Sequence, residues 1–383
     1  MKKTILAFLV LGSILYLGLM PAMCAEKTIT DMNSRTVTIS EPVERLVTAG
    51  YGFVPCVMAA FGVGDKIVGA GGAWLEGTSV TGPGNETTAS FLLPALKEKS
   101  SLGRGPTLNV EAAVALNPDL IILEKDCAGQ GNSVAGYDKL IDQLQLFNKS
   151  FPLVVLKNAA CYTPPTPDSA YTRIELLGEI FDKQEKAKQM TDFLKEEVDL
   201  VRQRTETIAE NEKPSVLVMA LSGSEDLAKG KVATVMPDHD CATLYPEITN
   251  IKNAYTGEAR AVMSAEQLIA LDPDVIILVR GTNQPPSDLY EKDDYKAIQS
   301  IKAIKNKRVY TTGQMEFYRN HAGLEFPIEM LIEAKAAYPD RFKDINVGEQ
   351  LTKHYKAIYG LNDEQIKKLK VEMSLDWMDT EGF

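Results

Sequence analysis

Histidine is scarce in this 383-residue chain, with only three copies, too few for the clustered imidazole ligands by which bare manganese or zinc is commonly held. Five cysteines, Cys24, Cys56, Cys127, Cys161 and Cys241, are too few and too scattered for a disulfide scaffold, although one bridge stays open outside the cytoplasm. Basic charge is also short. Lys and Arg number 41 against 52 Asp and Glu, a net charge of −11, which argues against nucleic acid as a partner. The signatures of common catalytic folds are missing: no Gly-x-Ser-x-Gly elbow, no His-Glu-x-x-His and no Gly-x-Gly-x-x-Gly after the first core strand. Residues 223–231 have the wrong glycine spacing for a phosphate loop, and Val232 stands where that loop needs a hydroxyl. The chain is therefore read as a non-enzyme with no intrinsic cofactor.

What is present begins with an export signal. Lys2 and Lys3 precede an apolar run from Thr4 to Met20, and Ala22-Met23-Cys24 makes a small-residue exit. Residues 1–24 are read as a signal peptide, placing the mature chain in the periplasm or at the cell surface. Cys24 stands where a lipid-modified cysteine becomes the new N-terminus. The alternative is an uncleaved anchor, since residues 4–23 are about as long as a spanning helix requires. Hydrophobic residues at 45% and charged residues at 24% are otherwise ordinary for a globular chain. Its length suits two lobes with separate cores.

The most informative feature is a repeat. Residues 108–123 align without a gap with residues 263–278: Glu111 with Glu266, Leu116 with Leu271, Pro118-Asp119 with Pro273-Asp274, and an apolar run after each. Asn109 and Ser264 are helix caps, each acid lies in a first turn, and each proline ends a helix before a buried strand. In the first half, strands are expected at residues 45–49, 66–70 and 152–156, with helices at 53–61 and 137–147. In the second half, residues 294–304 are expected to be helical and 308–312 extended. Alternating strands and helices imply parallel sheets. The fold class is thus α/β, two similar lobes with mostly parallel central sheets and a ligand cleft between them.

The domain reading follows. An N-terminal α/β lobe covers 26–180 and opens with a hairpin around residues 31–34. A linking helix covers 181–213, with Ala187, Met190, Phe193, Leu194, Val198 and Val201 on one apolar face. A C-terminal α/β lobe covers 214–324, and helices with a tail cover 325–383. Residues 347–359 form an amphipathic helix, and residues 362–383 are expected to extend it and then fray.

Taken in order, Asp31-Met32-Asn33-Ser34-Arg35-Thr36-Val37, residues 42–47, residues 61–69, both Glu-to-Pro-Asp units and Tyr338-Pro339-Asp340-Arg341-Phe342 resemble the substrate-binding proteins of ABC importers for iron-siderophores, haem and cobalamin. The resemblance covers nearly all of the mature chain. It implies a monomeric extracytoplasmic receptor that captures a metal chelate and delivers it to a membrane permease dimer. It also implies that Glu111 and Glu266 dock onto arginines of the permease. The stretch 229–255 departs from the family by lacking a glycine pair before Asn253-Ala254.

In open α/β lobes ligands sit beyond the carboxyl ends of the strands. That rule selects Tyr51, Trp74 and Tyr162 in the first lobe and Arg280, Phe317, Tyr318, Arg319 and His321 in the second. Aromatic rings stack on a flat chelate, and Arg pairs with its carboxylates. A direct metal site from Cys127, Cys161, His239 and Cys241 is the weaker reading, because no pair has zinc spacing, and Cys127 and Cys161 also suit a disulfide. The neighbouring functional alternatives are a receptor for free manganese or zinc and an extracytoplasmic sensor of the same fold.

Overall fold

The computed structural model describes residues 25–72, 87–99, 101–103, 105–127, 132–146, 151–279, 285–313, 315 and 324–383. The first lobe is built on four strands, β3 (Leu46–Ala49), β4 (Ile67–Gly71), β5 (Leu120–Lys125) and β6 (Leu153–Lys157), all parallel and ordered β4-β3-β5-β6. Every residue of β3 and β5 is buried, as expected of parallel strands covered on both faces. A hairpin of β1 (Ala25–Thr30) and β2 (Thr36–Glu41) precedes them. Its turn protects the outer edge of the sheet. Val155 N–H donates to Asp31 Oδ2 at 3.0 Å, and Met32 N–H donates to the Val155 carbonyl at 3.1 Å. The edge strand's polar groups are thereby occupied rather than left to recruit another chain.

The second lobe holds β7 (Ser215–Leu221), β8 (Ala233–Val235), β9 (Lys252–Asn253), β10 (Ala261–Met263), β11 (Val275–Leu278) and β12 (Val309–Thr311). Their order is β10-β8-β7-β11-β12, with β9 also on β7. β7, β9, β11 and β12 run parallel, β8 joins β7 antiparallel, and β10 joins β8 antiparallel and so runs with β7 again. The lobes are therefore similar in their centres and different at one edge.

The repeat folds as the same unit twice. Asn109 Oδ1 accepts from Ala112 N–H at 3.0 Å and starts the helix Val110–Ala115. Ser264 and Gln267 form a reciprocal capping box on the helix Ala265–Leu271. Asn117 and Asp272, equivalent in the repeat, both turn the chain with positive φ, 48° and 38°, a conformation that Asn and Asp tolerate best among side-chain-bearing residues. Asp119 then accepts from the Glu44 and Arg45 N–H groups, both at 2.8 Å. Asp274 accepts from the Ser215 N–H and hydroxyl, both at 2.9 Å. Each repeated aspartate thus ties its own strand to the start of the central strand of its lobe.

The linking helix is Gln184–Thr205. It buries Ala187, Met190, Leu194, Val198 and Val201 as the spacing requires, while Phe193 is partly buried. Its Glu197 Oε2 lies 2.8 Å from His354 Nδ1 of the helix Val347–Tyr359, both buried. The helix Phe326–Ala337 is apolar around most of its circumference and lies inside the core.

Two sequence expectations are corrected. Residues 294–304 are not one helix but a 3-10 turn, Asp293–Ile298, and a short helix, Lys302–Lys305, separated by extended Ile301; Asp272 Oδ1 accepts from Lys302 N–H and restarts the chain there. Residues 362–383 neither extend the preceding helix nor fray. Gly360 at φ 67° ends that helix, Asn362 caps a new one, Asp363–Glu372, and Phe383 packs on Trp377 and Tyr310.

Candidate functional site

In both repeat units the helix runs back along the strand that follows it, so its first turn lies level with the strands' carboxyl ends. Those ends carry the candidate ligand residues of the first lobe. Tyr51 follows β3 and is half-buried, and Tyr162 follows β6 with about a third of its surface exposed, at 37%. Between them stands a feature that the sequence reading did not select. Glu124, in β5, is buried and accepts from Val54 N–H at 2.9 Å and Tyr51 N–H at 3.2 Å. It caps the helix Phe53–Ala60 from outside, since that helix has no side-chain cap of its own. The carboxylate lies so close to Gly50 that a Cβ there would fall 2.4 Å from its carboxyl carbon. Glycine at position 50 makes the approach feasible.

Arg173 lies behind this acid. It is 1% exposed, and its guanidinium carbon sits 3.6 Å from the centroid of the Phe53 ring. Burial pulls its pKa down to about 10, while Glu124, Asp240 and Tyr162 oppose the fall. Burial likewise raises the Glu124 carboxyl above its ordinary range, with the Val54 N–H and the Arg173 charge pulling it back. Burial raises Tyr162, and the same Arg173 charge limits the rise. Asp240 belongs to the second lobe, at the start of the helix Asp240–Thr243. Arg173 is thus a buried cation whose charge acts on Glu124 of the first lobe, on Asp240 of the second and on the partly exposed Tyr162.

The strand ends of the first lobe are also fastened covalently. Cys127, just past β5, and Cys161, just past β6, are joined by a disulfide. Beside it Asn158 Nδ2 donates to Asp126 Oδ1 at 2.8 Å, both buried. The bridge corrects the thiolate-site alternative: with both sulfurs in one covalent bond, neither Cys127 nor Cys161 is a ligand. His239 uses Nδ1 to accept from Cys241 N–H at 3.3 Å, and Cys241 is a buried thiol in the second lobe. Among the described residues no group of three or more His, Cys, Asp or Glu is arranged to hold a metal ion.

Glu111 and Glu266 are both exposed, each in the first turn of its repeat helix. The Ser264 hydroxyl donates to Glu266 Oε2 at 2.7 Å, and that bond holds the carboxyl below its ordinary range. Trp74, Arg280, Phe317, Tyr318, Arg319 and His321, and residues 1–24 with Cys24 among them, lie outside the described residues.

Glu124, Arg173 and Asp240 are members of the candidate site that the sequence reading did not select. A signal existed for two of them. Glu124 interrupts the apolar strand that starts at Leu120, and Arg173 falls on the apolar stripe formed by Ala170, Ile174 and Leu177. A lone charge on a buried face is partnered or functional.

Comparison with known proteins agrees with this architecture. Residues 57–315 match the family described as periplasmic binding protein. An uncharacterized ABC transporter substrate-binding lipoprotein of Bacillus subtilis is 25% identical over 324 residues, 83% of this chain and 87% of the relative. A molybdate-binding protein of Haemophilus influenzae is 22% identical over 88% of this chain and 91% of the relative. Among solved structures, a periplasmic solute binding protein from Veillonella parvula covers 94% of this chain and 100% of its own, with a TM-score of 0.72 at 24% identity.

Proposed function

This chain belongs to the periplasmic binding protein family, and from that footing we propose that it captures an iron(III)-siderophore or a related metal chelate and hands it to a membrane permease. Substrate-binding proteins of ABC importers do no chemistry on their cargo; they bind a small ligand and present it to a membrane partner. Among the described residues no helix is long and apolar enough to cross a membrane.

What supports the cargo reading is the placement of Tyr51 and Tyr162 at the carboxyl ends of β3 and β6, with the buried Arg173 charge acting on Tyr162. Aromatic faces suit the flat surface of a chelate or macrocycle, and a cation behind them favours a ligand that bears negative charge. Haem and cobalamin are the related cargoes of the same chemistry. Permease docking falls to Glu111 and Glu266, one exposed carboxylate on each lobe, spaced by the two-lobed body to meet a dimeric partner.

Native mass spectrometry of the mature chain, followed by calorimetric titration with ferric siderophores, haem, cobalamin, molybdate and bare divalent ions, tests the cargo. Tight binding of a chelate is the expected result. Binding of molybdate or of a bare ion in preference to every chelate would overturn it. For docking, Glu111→Lys with Glu266→Lys should abolish uptake and leave ligand affinity unchanged; lost affinity would remove both residues from the permease interface.

A further inference from the structure

Among the described residues the large hydrophobic side chains that stand exposed are Leu146, Tyr162, Val262, Ile269 and Val371. Single exposed apolar residues need no explanation. Two of these five, however, flank one functional candidate. Ile269 is one turn after Glu266 on the helix Ala265–Leu271, the spacing that puts two side chains on the same face. Val262 lies in β10, two residues before the Ser264 cap of that helix, and β10 is the outer strand of its sheet. They are 39% and 48% exposed.

The repeat supplies an internal control. The residues equivalent to Val262 and Ile269 in the first lobe are Thr107 and Val114. Thr107 is exposed but polar, and Val114 is half-buried. Among the described residues, the two positions beside Glu111 thus present less aliphatic surface than their equivalents beside Glu266, although the two helices and their acids are built alike.

We propose that Val262 and Ile269 form, with Glu266, an aliphatic docking patch for one permease subunit, so that the two lobes present chemically different footprints to the transporter. The inference rests on the docking role assigned above to Glu111 and Glu266. Protein interfaces pair an apolar centre with a charged or polar rim, and the centre carries most of the binding energy. A permease loop that meets the second lobe would set a basic side chain against Glu266 and an apolar one against Val262 and Ile269. At the first lobe the contact is electrostatic alone. Charge would then steer the receptor onto the dimer, and the aliphatic patch of the second lobe would slow its release.

Photo-crosslinking in intact cells that produce the full chain tests this. Val262→p-benzoylphenylalanine and Ile269→p-benzoylphenylalanine should each give an adduct whose peptides map to a multi-spanning ABC permease subunit. Gln267→p-benzoylphenylalanine reports on docking itself, and Leu146→p-benzoylphenylalanine should give no such adduct. Introducing Glu266→Arg should reduce the adducts from positions 262 and 269 at least tenfold. Adducts from position 267 without any from 262 or 269 would overturn the patch while leaving the docking role intact. No permease adduct from any position would overturn the docking role and the patch with it. Adducts to a second copy of this chain would assign the surface to self-association and also overturn the proposal.

Discussion

At the amino ends of their central strands the two lobes solve one problem with one residue, Asp119 in the first and Asp274 in the second; at the carboxyl ends they part. The first lobe closes its strand ends with a disulfide and a buried cation, Cys127–Cys161 and Arg173. The second lobe is backed instead by the helix Phe326–Ala337, which carries buried acids and whose last carbonyls, Ala336 and Ala337, accept from Arg308 just before β12. Tyr245 donates its hydroxyl to Glu329 at 2.6 Å, whereas Glu333 is fully buried with the Thr249 hydroxyl beside it. The shared end is the one that positions each sheet under its repeat helix. The carboxyl end of the first lobe is the one that carries the candidate ligand residues Tyr51 and Tyr162.

The largest effect should come from removing the first lobe's cation. Arg173→Met leaves Glu124 and Asp240 buried beside an apolar side chain. Breaking a buried charge pair from one side costs about 3–5 kcal/mol, so the urea midpoint should fall accordingly. Arg173→Lys should recover only part of the loss, because an ammonium cannot lie flat on the Phe53 ring and bond sideways as a guanidinium does. A loss under about 1 kcal/mol in Arg173→Met would mean that the two acids are neutral there and that the lobes do not differ as stated. Next in size is the staple. Cys127→Ser with Cys161→Ser opens a loop with a sequence separation of 34, and closing such a loop is worth about 2–4 kcal/mol. An unchanged midpoint would show that the hydrogen bond from Asn158 to Asp126 and that from Asn158 N–H to the Lys125 carbonyl hold the strand ends unaided.

The second lobe should respond in the opposite direction. Burial pushes the Glu333 carboxyl well above its ordinary range, and the Thr249 hydroxyl only partly offsets this. Its folded form therefore holds a proton that the unfolded chain releases above about pH 4.3. Stability from this group is present below that pH and is lost as pH rises toward the folded value. Glu333→Met should stabilise the protein by about 1–3 kcal/mol at pH 8 and by less at pH 5. Thermal melts of both proteins across pH 4–8 would read this, and a variant less stable than the parent at pH 8 would contradict it. His354 adds a slope of the same sign. Burial opposes its charge but the Glu197 carboxylate prevails and raises its pKa, so its contribution is also present at low pH and lost as pH rises.

Periodicity and capping made most of the architecture legible. The repeat carried its own helix caps and its own proline stop, so both units stand where the spacing put them. The linking helix was equally plain, because its buried positions recur at three- and four-residue steps over 22 residues. The site was less legible, for reasons of distance along the chain. Glu124 and Arg173 are 49 positions apart, and Asp240 lies in another lobe, so no local pattern joins them. The partition of residues 294–304 into two short pieces was hidden similarly, since it depends on Asp272 reaching Lys302 from the far end of the repeat. The strand-end rule did bring Tyr51 and Tyr162 to one end of one sheet, because it needs only the positions of the strands.

The smallest effect tests the part of the comparison on which the rest depends, that Asp119 and Asp274 do the same work. Each carboxylate accepts two hydrogen bonds at the start of a central strand, and each is partly exposed. Burial works against the charge of Asp274, but the Ser215 N–H and hydroxyl prevail and hold its carboxyl below the ordinary range. Hydrogen bonds to a charged group are worth about 1.5–3 kcal/mol when buried, and partial exposure brings the expected cost of Asp119→Ala or Asp274→Ala to about 1–2 kcal/mol. The two losses should agree within about 0.5 kcal/mol and add in the double variant, since the sites share no partner. Arg45 is the reason they could separate. It bonds through Nε and Nη2 to the Asn117 and Leu116 carbonyls and so holds the first lobe's turn by a second route that the second lobe lacks at Ser215. A smaller loss for Asp119→Ala than for Asp274→Ala would therefore measure that second route, and Arg45→Ala in the Asp119→Ala background should then restore the equality.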